Sequence, residues 1–422
     1  MRKCLPAAMF VLSALLSTSM PSQAQAQVRG QGQDQPQSET LPDSVVEAIP
    51  SSLLPPGDDT ETPDKESSTF RDPADGKFDI STWLLNRRGF LPVPIIITDP
   101  ALGRGGGLAL TYFRRPSGAK VTRTTTDGRT QMVAPNRYTV GGLRTSNGSQ
   151  AFFGGFSLHF KDDLWRYSGA VSKTSFNLGF YPPAELFPDQ EINYNVDGLM
   201  SYQQVSRRLG SQQLYAGAQW VYMDVDLSFD NDSDKGYFDD KSLARKLSGL
   251  GLALKYDSRD NSFTPSSGWF ANVSGTFFDE AVGSANNFQN YRARAYDYIP
   301  LGDVVIGARA DLRWANGDVP FYRLPYVDMR GIGSARYQDT RATTLETEVR
   351  WNVDSRWALI GFLGAGRTWG RNNSFGDGQT AVSKGTGFRY LLASKLGMYA
   401  GLDYAWGPED QTFYITVGSA WR

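Results

Sequence analysis

Residues 344–353, TLETEVRWNV, alternate with a period of two. Leu345, Thr347, Val349, Trp351 and Val353 fall on one side, and Glu346, Glu348, Arg350 and Asn352 on the other. A helix, with its period of 3.6, would scatter both sets, so the stretch reads as a strand. A soluble sandwich also alternates, with one face turned to a dry core. Here one face is apolar apart from Thr347 and the other carries full charges of both signs. That combination suits lipid outside and a wet lumen inside, because an unpaired charge in a dry core costs several kcal/mol or neutralises.

The same pattern recurs along the chain. VVIGARADLRW places Ile306, Ala308, Ala310, Leu312 and Trp314 opposite Arg309, Asp311 and Arg313. KLGMYAGLDYAW sets Leu396, Met398, Ala400, Leu402, Tyr404 and Trp406 against Tyr399 and Asp403, and TFYITVGSAWR puts Phe413, Ile415, Val417 and Trp421 on one side. The apolar faces run for about ten residues, the length of a tilted spanning strand. Trp269, Trp314, Trp351, Tyr404 and Trp406 stand at their ends, as interfacial aromatics do. Sixteen such segments are expected, at 91–98, 105–114, 136–145, 150–160, 164–175, 192–207, 212–227, 244–257, 268–278, 288–299, 303–315, 340–353, 356–369, 383–393, 396–406 and 411–422. The fold class is therefore all-β, a transmembrane antiparallel β-barrel of about sixteen strands spanning 89–422. An even count places both ends on the periplasmic side. The link 115–135 is long for that side, and a further strand is expected near it.

The remaining composition agrees. Glycine is abundant (44 of 422 residues), 13% of residues are aromatic, and the formal charge of −1 gives no global attraction to nucleic acid. Arg2 and Lys3, an apolar run and Ala24–Ala26 read as a signal peptide over 1–26. Residues 27–88, rich in Gln, Pro, Asp and Ser, read as a disordered periplasmic tail, too polar to bury a core. The single cysteine, Cys4, lies within the signal peptide, which excludes a disulfide or thiol chemistry in the exported chain. Localisation in the bacterial outer membrane follows. The expected partners are outer-membrane lipid and lipopolysaccharide and other envelope proteins, with the chain a monomer and no cofactor or metal implied.

Several motifs resemble the BamA/TamA superfamily of outer-membrane assembly barrels, the bacterial surface antigens. GLGLALKYDSRDNSFTPSSGWFANVSGTFF (249–278) is similar to the family's turn between its eighth and ninth strands, here carrying Asp257, Arg259 and Asp260. VPFYRLPYVDMRGIGSARYQD (319–339) resembles its sixth outer loop with the Arg-Gly pair, here Arg330 and Gly331. The resemblance covers roughly residues 89–422. Full family members carry periplasmic repeat domains ahead of the barrel. Only the polar tail precedes it here, so a barrel-only member is expected, without capture of clients from the periplasm.

The resemblance implies a loop 316–339 tucked into the lumen; composition alone would equally allow a solvated surface loop. In the tucked arrangement Gly331 and Gly333 permit tight turns. Arg330 then meets a carboxylate on the barrel wall, Glu348 first and Glu346 second. The family's thirteenth strand reads Phe-x-Asp-x-Gly, and that Asp helps hold the arginine. FLGAG keeps Phe362 and Gly366 but has Gly364 in its place, which predicts a looser lock. Pro92 and Pro94 share one parity of the first strand and remove two donors from one side of it. Either they weaken a seam with the last strand at Ile415, or they precede the paired region. The family places client or lipid contact at that seam.

His159, the sole histidine, lies two residues from Ser157 on a polar face, a conceivable hydrolase pair, but no Gly-x-Ser-x-Gly elbow accompanies it. The acidic loop 230–240 lacks the closing glutamate of a helical calcium motif and reads as a solvated outer loop. The expected function is envelope biogenesis or transport by a loop-plugged barrel without enzymatic activity. The alternatives are a passive diffusion channel and, more weakly, an outer-membrane hydrolase.

Overall fold

Burial in this chain is inverted relative to a water-soluble protein: Leu252 is 68% exposed, whereas Asp311 is 1% exposed. The computed structural model describes residues 70–86, 90–97, 103–114, 122–124, 130–132, 136–180, 192–210, 213–231, 236, 238–261, 263–371, 373–409 and 411–421. The expected signal peptide and the tail as far as residue 69 lie outside these residues.

The strands are β1 (Phe90–Ile97), β2 (Gly105–Arg114), β3 (Thr122–Thr124), β4 (Thr130–Met132), β5 (Asn136–Thr145), β6 (Gln150–Phe160), β7 (Trp165–Phe180), β8 (Ile192–Arg208), β9 (Leu214–Phe229), β10 (Lys246–Asp257), β11 (Gly268–Phe278), β12 (Phe288–Leu301), β13 (Val304–Gly317), β14 (Arg341–Asn352), β15 (Trp357–Trp369), β16 (Gln379–Ala393), β17 (Met398–Trp406) and β18 (Gln411–Val417). All but β3 and β4 form one sixteen-stranded antiparallel sheet in chain order, from β1 at one edge to β18 at the other. β3 and β4 pair only with each other, so the extra strand expected in 115–135 is a small hairpin outside the barrel wall.

The sheet curls into a nearly closed barrel with its apolar face outward. On β14, Leu345, Val349 and Trp351 are exposed while Glu346 and Arg350 are buried. Trp165, Tyr256, Trp269, Trp351 and Trp357 face outward at the end that carries residues 70–86 and 418–421, termed the terminal end. At the opposite, loop end, Tyr404 packs against both Trp406 and Phe413. The two belts are the aromatic girdles of a lipid-facing barrel. At the loop end the lumen beside β7–β12 is filled by an apolar cluster that includes Phe176, Tyr194, Leu247, Phe278, Phe288 and Phe321.

Three expectations are corrected. The last strand, expected to reach 422, stops at Val417, because Gly418 adopts a left-handed conformation (φ 81°). The chain then turns inward, and Trp421, expected on the outer face, is buried with Phe270, Tyr296, Tyr298 and Val305. The strand expected from 396 begins at Met398. Ser394–Leu396 form a 3-10 turn ended by Gly397 (φ 57°), and Leu396 and Met398 are buried.

The third correction concerns the tail, whose last part is docked. Residues 70–86 include an Arg71–Phe78 bridge and a short helix α1 (Ser81–Asn86), held at the terminal end by Arg356 from the β14–β15 turn. Arg356 donates to Asp72 at 2.7 Å, to both carboxylate oxygens of Asp75 at 2.6 and 2.8 Å, and to Asp79 at 2.6 Å. Composition had suggested disorder because it counts apolar area and does not register three aspartates spaced to converge on one guanidinium.

The guanidinium and local N–H donors set the acid behaviour of this junction. The Ala74 backbone N–H leads in lowering the Asp72 pKa, and the Arg356 hydrogen bonds do so for Asp75. For Asp79, burial pushes upward but the bonds from Ser81 and Arg356 outweigh it, leaving a carboxyl well below its ordinary range. A depressed folded-state pKa gives stability that is complete above the unfolded value, about 3.9, and lost as pH falls through the depressed value. Docking of 70–86 is therefore expected to persist at pH 5 and to release only well below pH 4. Arg356→Ala should raise amide exchange across 70–86 by about tenfold or more at neutral pH, which corresponds to ~1.4 kcal/mol. Unchanged exchange in that variant would remove Arg356 as the anchor.

Candidate functional site: the buried loop and the open edge

The loop between β13 and β14 is not a surface loop. Val327, Met329 and residues 330–335 are buried against the inner faces of β14–β18. Its path is set by one arginine. Arg330 Nε and Nη2 donate to Glu346 Oε1 at 2.9 and 2.6 Å, and Nη1 donates to Asp403 Oδ2 at 3.0 Å. Its guanidinium also lies 3.6 Å from the centre of the Phe362 ring, a cation–π contact. Glu348, the first expected partner, approaches Nη1 at 2.7 Å, but Oε2 has no aligned hydrogen bond. Glu346 thus holds the place expected of Glu348. Burial works against the Arg330 charge, but Glu346, Glu348 and Asp403 outweigh it and raise its pKa.

The expectation of a loose lock at Gly364 is overturned, for a steric reason. Gly364 faces the lumen opposite Glu346, and a Cβ there would stand 2.3 Å from Met329 Sδ. The loop fills the space an aspartate would need, and the further carboxylate comes from Asp403 on β17. Asp403 accepts two bonds from Arg389, at 2.6 and 2.8 Å, and one from Thr416 of β18 at 3.3 Å. Gly331 is required at φ 81°, where a Cβ would meet Ser383 Oγ at 2.6 Å, and its N–H donates to Tyr414 of β18 at 2.9 Å. Gly333, expected to serve the same purpose, has no positive φ and no close neighbour; Ala335 adopts the second left-handed conformation instead.

The lock continues along the wall. Asp328, two residues before Arg330, accepts from Arg313 at 2.5 Å and from Arg309 at 3.4 Å. Asp311 gathers Arg292, Arg309 and Arg313. Arg309 also reaches Glu346 at 3.4 Å. Five arginines (292, 309, 313, 330 and 389) thereby meet five carboxylates (311, 328, 346, 348 and 403), a charge-balanced band across β12–β17. Sequence reasoning missed Asp403, Arg389 and Asp328. Parity placed Asp403 on the inner face but could not give the height at which β17 and the loop meet.

The second motif forms a separate knot at the terminal end. Arg259 donates through Nε and Nη2 to Asp257 at 2.8 and 2.9 Å. Asp260 Oδ1 accepts from the backbone N–H groups of Asn261, Ser266 and Ser267 and so shapes the turn. Asn261 reaches Leu396 O at 2.9 Å, and Arg350 donates to Pro265 O at 3.1 Å and to Ser266 Oγ at 2.6 Å. This turn therefore ties β10–β11 to β14 and to the β16–β17 turn.

At the edge of the sheet, β1 pairs with β2 from Phe90↔Tyr112 to Ile97↔Gly105, so Pro92 and Pro94 lie within a paired strand and not ahead of it. A strand with one neighbour accommodates prolines whose nitrogens face the free side. Among the described residues no ladder joins β1 to β18, which pairs only with β17. Ile415 is exposed on β18. His159 gives no catalytic pair: Nε2 lies 4.0 Å from Asp163, and Nδ1 has no hydrogen-bond partner. Asp163 is instead held by Arg166 and Tyr215.

Residues 136–421 match the model of the Omp85 superfamily domain. The chain belongs to the Omp85 superfamily. Among solved structures this Omp85 barrel is similar to BamA from Haemophilus ducreyi lacking POTRA domains 1–3, at 14% identity and TM-score 0.51, covering 78% of this chain and 70% of that one. It is also similar to CdiB from Escherichia coli, at 13% identity and TM-score 0.53, covering 77% of this chain and 61% of that one. CdiB from Acinetobacter baumannii aligns at 12% identity and TM-score 0.50, over 78% and 59%. The chain thus spans about three fifths of the CdiB chains. At these identities the likeness shows the fold alone. No curated protein matches the chain. The fold is the expected one: an outer-membrane-type β-barrel of sixteen antiparallel strands.

Removing the buried arginine leaves its carboxylates unpaired, and breaking such a contact costs roughly 3 to 5 kcal/mol. Arg330→Ala should therefore lower barrel stability by about that amount in urea titrations in lipid vesicles. Glu346→Gln should cost more than Glu348→Gln, and the reverse order would contradict the bonding described. Gly364→Asp, which writes in the family's aspartate, should destabilise the barrel because Met329 occupies the space.

Proposed function

We propose that this Omp85 barrel acts in envelope biogenesis or transport in the bacterial outer membrane, with residues 316–339 occluding the lumen and the β1–β18 edge serving as the contact for membrane-embedded clients. The observation that carries this reading is the bonding of the buried loop to the edge strand. Gly331 donates to Tyr414, and Asp403 links Arg330 to Thr416, so loop and β18 share one hydrogen-bonded unit. A loop that only filled space would need apolar contact and no such coupling. Among the described residues no strand pairs along the outer rims of β1 and β18, and strand addition is the way a sheet edge recruits another chain. Two prolines on β1 leave β18 the better-provided side. Superfamily members take part in protein insertion and secretion, and this chain's own client belongs to the proposal. Outer-membrane lipid, lipopolysaccharide and envelope proteins are the partners this places around a monomeric barrel, with no cofactor and no enzymatic step.

Two measurements test it. In planar bilayers the wild-type barrel should show only small, intermittent conductance, and Arg330→Ala should open it several-fold. A large steady wild-type pore would establish the diffusion-channel reading instead. Photocrosslinking from Ile96 and from Ile415 in the intact envelope should trap protein or lipid at both positions. Adducts no more frequent there than at Leu252, on the far wall, would remove the edge from the mechanism.

A further inference from the structure

The docked segment 70–86 has a polar face and an aromatic face. On the polar face Asp72, Asp75 and Asp79 converge on Arg356, and Ser394 donates from Oγ to Asp72 and from N–H to Asp79, each at 2.9 Å. Ile80 follows inward: its N–H donates to Leu392 O at 2.9 Å, and its side chain packs on Ala393, Leu396 and Met398. The aromatic residues point elsewhere. Phe78, bridged to Arg71, stacks its ring on that of Phe70, with centres 6.4 Å apart and planes 8° from parallel. Trp83 of α1 stands 6.3 Å from the same Phe70 ring. Phe70 and Phe78 are 46% and 51% exposed. Half-exposed phenyl rings are unfavourable in water, and the clamp on the opposite face holds these two outward.

The position of the rings on the barrel indicates what covers them. Tyr390 of β16 has the lipid-facing parity and lies opposite Trp357 in the β15–β16 ladder. Its ring meets that of Trp357 edge-on at 4.9 Å, and Phe388 lies 6.0 Å from the same indole. Trp357 and Phe388 are both exposed on the outer wall. The Tyr390 hydroxyl donates to Phe78 O at 2.8 Å, so the backbone of the turn abuts the girdle itself. Phe70 and Phe78 thereby continue the terminal-end aromatic belt, at the height where a bilayer passes from hydrocarbon to headgroup. Charge does not supply the attraction. Arg71, Lys77 and Arg356 stand among four aspartates, 72, 75, 79 and 354. Lys77 pairs with Asp354 at 3.7 Å, and Arg71 donates to Gly76 O at 2.9 Å. A segment drawn to anionic lipid by electrostatics would carry a cluster of basic residues, and this one does not.

We propose that residues 70–80 form a lipid-contact element outside the barrel wall, with Phe70 and Phe78 inserted among the glycerophospholipids of the leaflet at the terminal end. Contact is through interfacial burial of the two rings and is indifferent to headgroup charge. The clamp and the bilayer then act on opposite faces of one turn, the first by ion pairing to the rim and the second by covering the apolar side. This element is separate from the Arg330 lock and from the β1–β18 edge, so its failure would leave the reading of those two features untouched.

The test is photocrosslinking from p-benzoylphenylalanine, an aromatic replacement, placed singly at Phe70, at Phe78 and at the exposed Ala74 of the same turn, with the full barrel in vesicles. Positions 70 and 78 should trap phospholipid several-fold more often than position 74. The yield should be the same in pure phosphatidylcholine as in vesicles containing phosphatidylglycerol, and should not fall as salt is raised. Adducts at 70 and 78 no more frequent than at 74 would overturn the proposal. So would a yield confined to anionic vesicles, because charge and not ring burial would then hold the segment. In intact envelopes the adducts at both positions should be mainly lipid; a majority of protein adducts would assign the face to a protein partner instead.

Discussion

A guanidinium taken out of bulk water must be met by anions, and the arrangement of this barrel's inner wall follows from how Arg330 is met. Glu346 of β14 and Asp403 of β17 stand on strands three apart in the sheet, and neither could reach the other without a cation between them. The loop brings that cation. Once Arg330 is seated, Gly331 must turn left-handed beneath Ser383, Met329 must fill the hollow over Gly364, and Val327 must press on Gly366. Gly364 and Gly366 of β15 are thus the imprint of the loop on the wall. They are small because the loop's side chains occupy their space, and the missing aspartate of the family pattern is part of the same accommodation.

The wall itself was legible because a period of two survives any uncertainty in register. Parity alone assigns Glu346, Arg350 and Asp403 to the lumen and Leu345, Val349 and Leu402 to lipid, and the structure places all six so. Strand ends were legible where charged or glycine-bearing turns interrupt the alternation. They were misread at Ser394–Leu396 and Gly418, where the apolar parity continues through a turn. Leu396 and Trp421 look like lipid-facing residues by spacing and are buried because the backbone leaves the sheet before reaching them.

The site was half legible, for a related reason. Sequence spacing relates residues on one strand, whereas the lock joins residues 16 and 73 positions apart. Which carboxylate meets Arg330 depends on the shear of the barrel, that is, on relative strand heights, and no local pattern encodes them. The docking of 70–86 shows the same limit from the other side. Asp72, Asp75 and Asp79 are ordinary members of a polar tail until Arg356, nearly three hundred residues later, gives them a common target.

The wall of this barrel is uneven in height. β7, β8 and β9 have 16, 17 and 16 residues, whereas β1 has 8 and β18 has 7. At about 3.3 Å per residue a seven-residue strand rises roughly 23 Å along its own axis, and less once tilted. The hydrocarbon of an average bilayer is about 30 Å thick. Lipid beside β7–β9 meets a taller wall than lipid beside the described spans of β1 and β18, and a bilayer adapts to a shorter wall by thinning against it. The described edge strands therefore present the shortest rise in the wall, and a segment entering sideways beside them would cross less hydrocarbon than beside β7–β9.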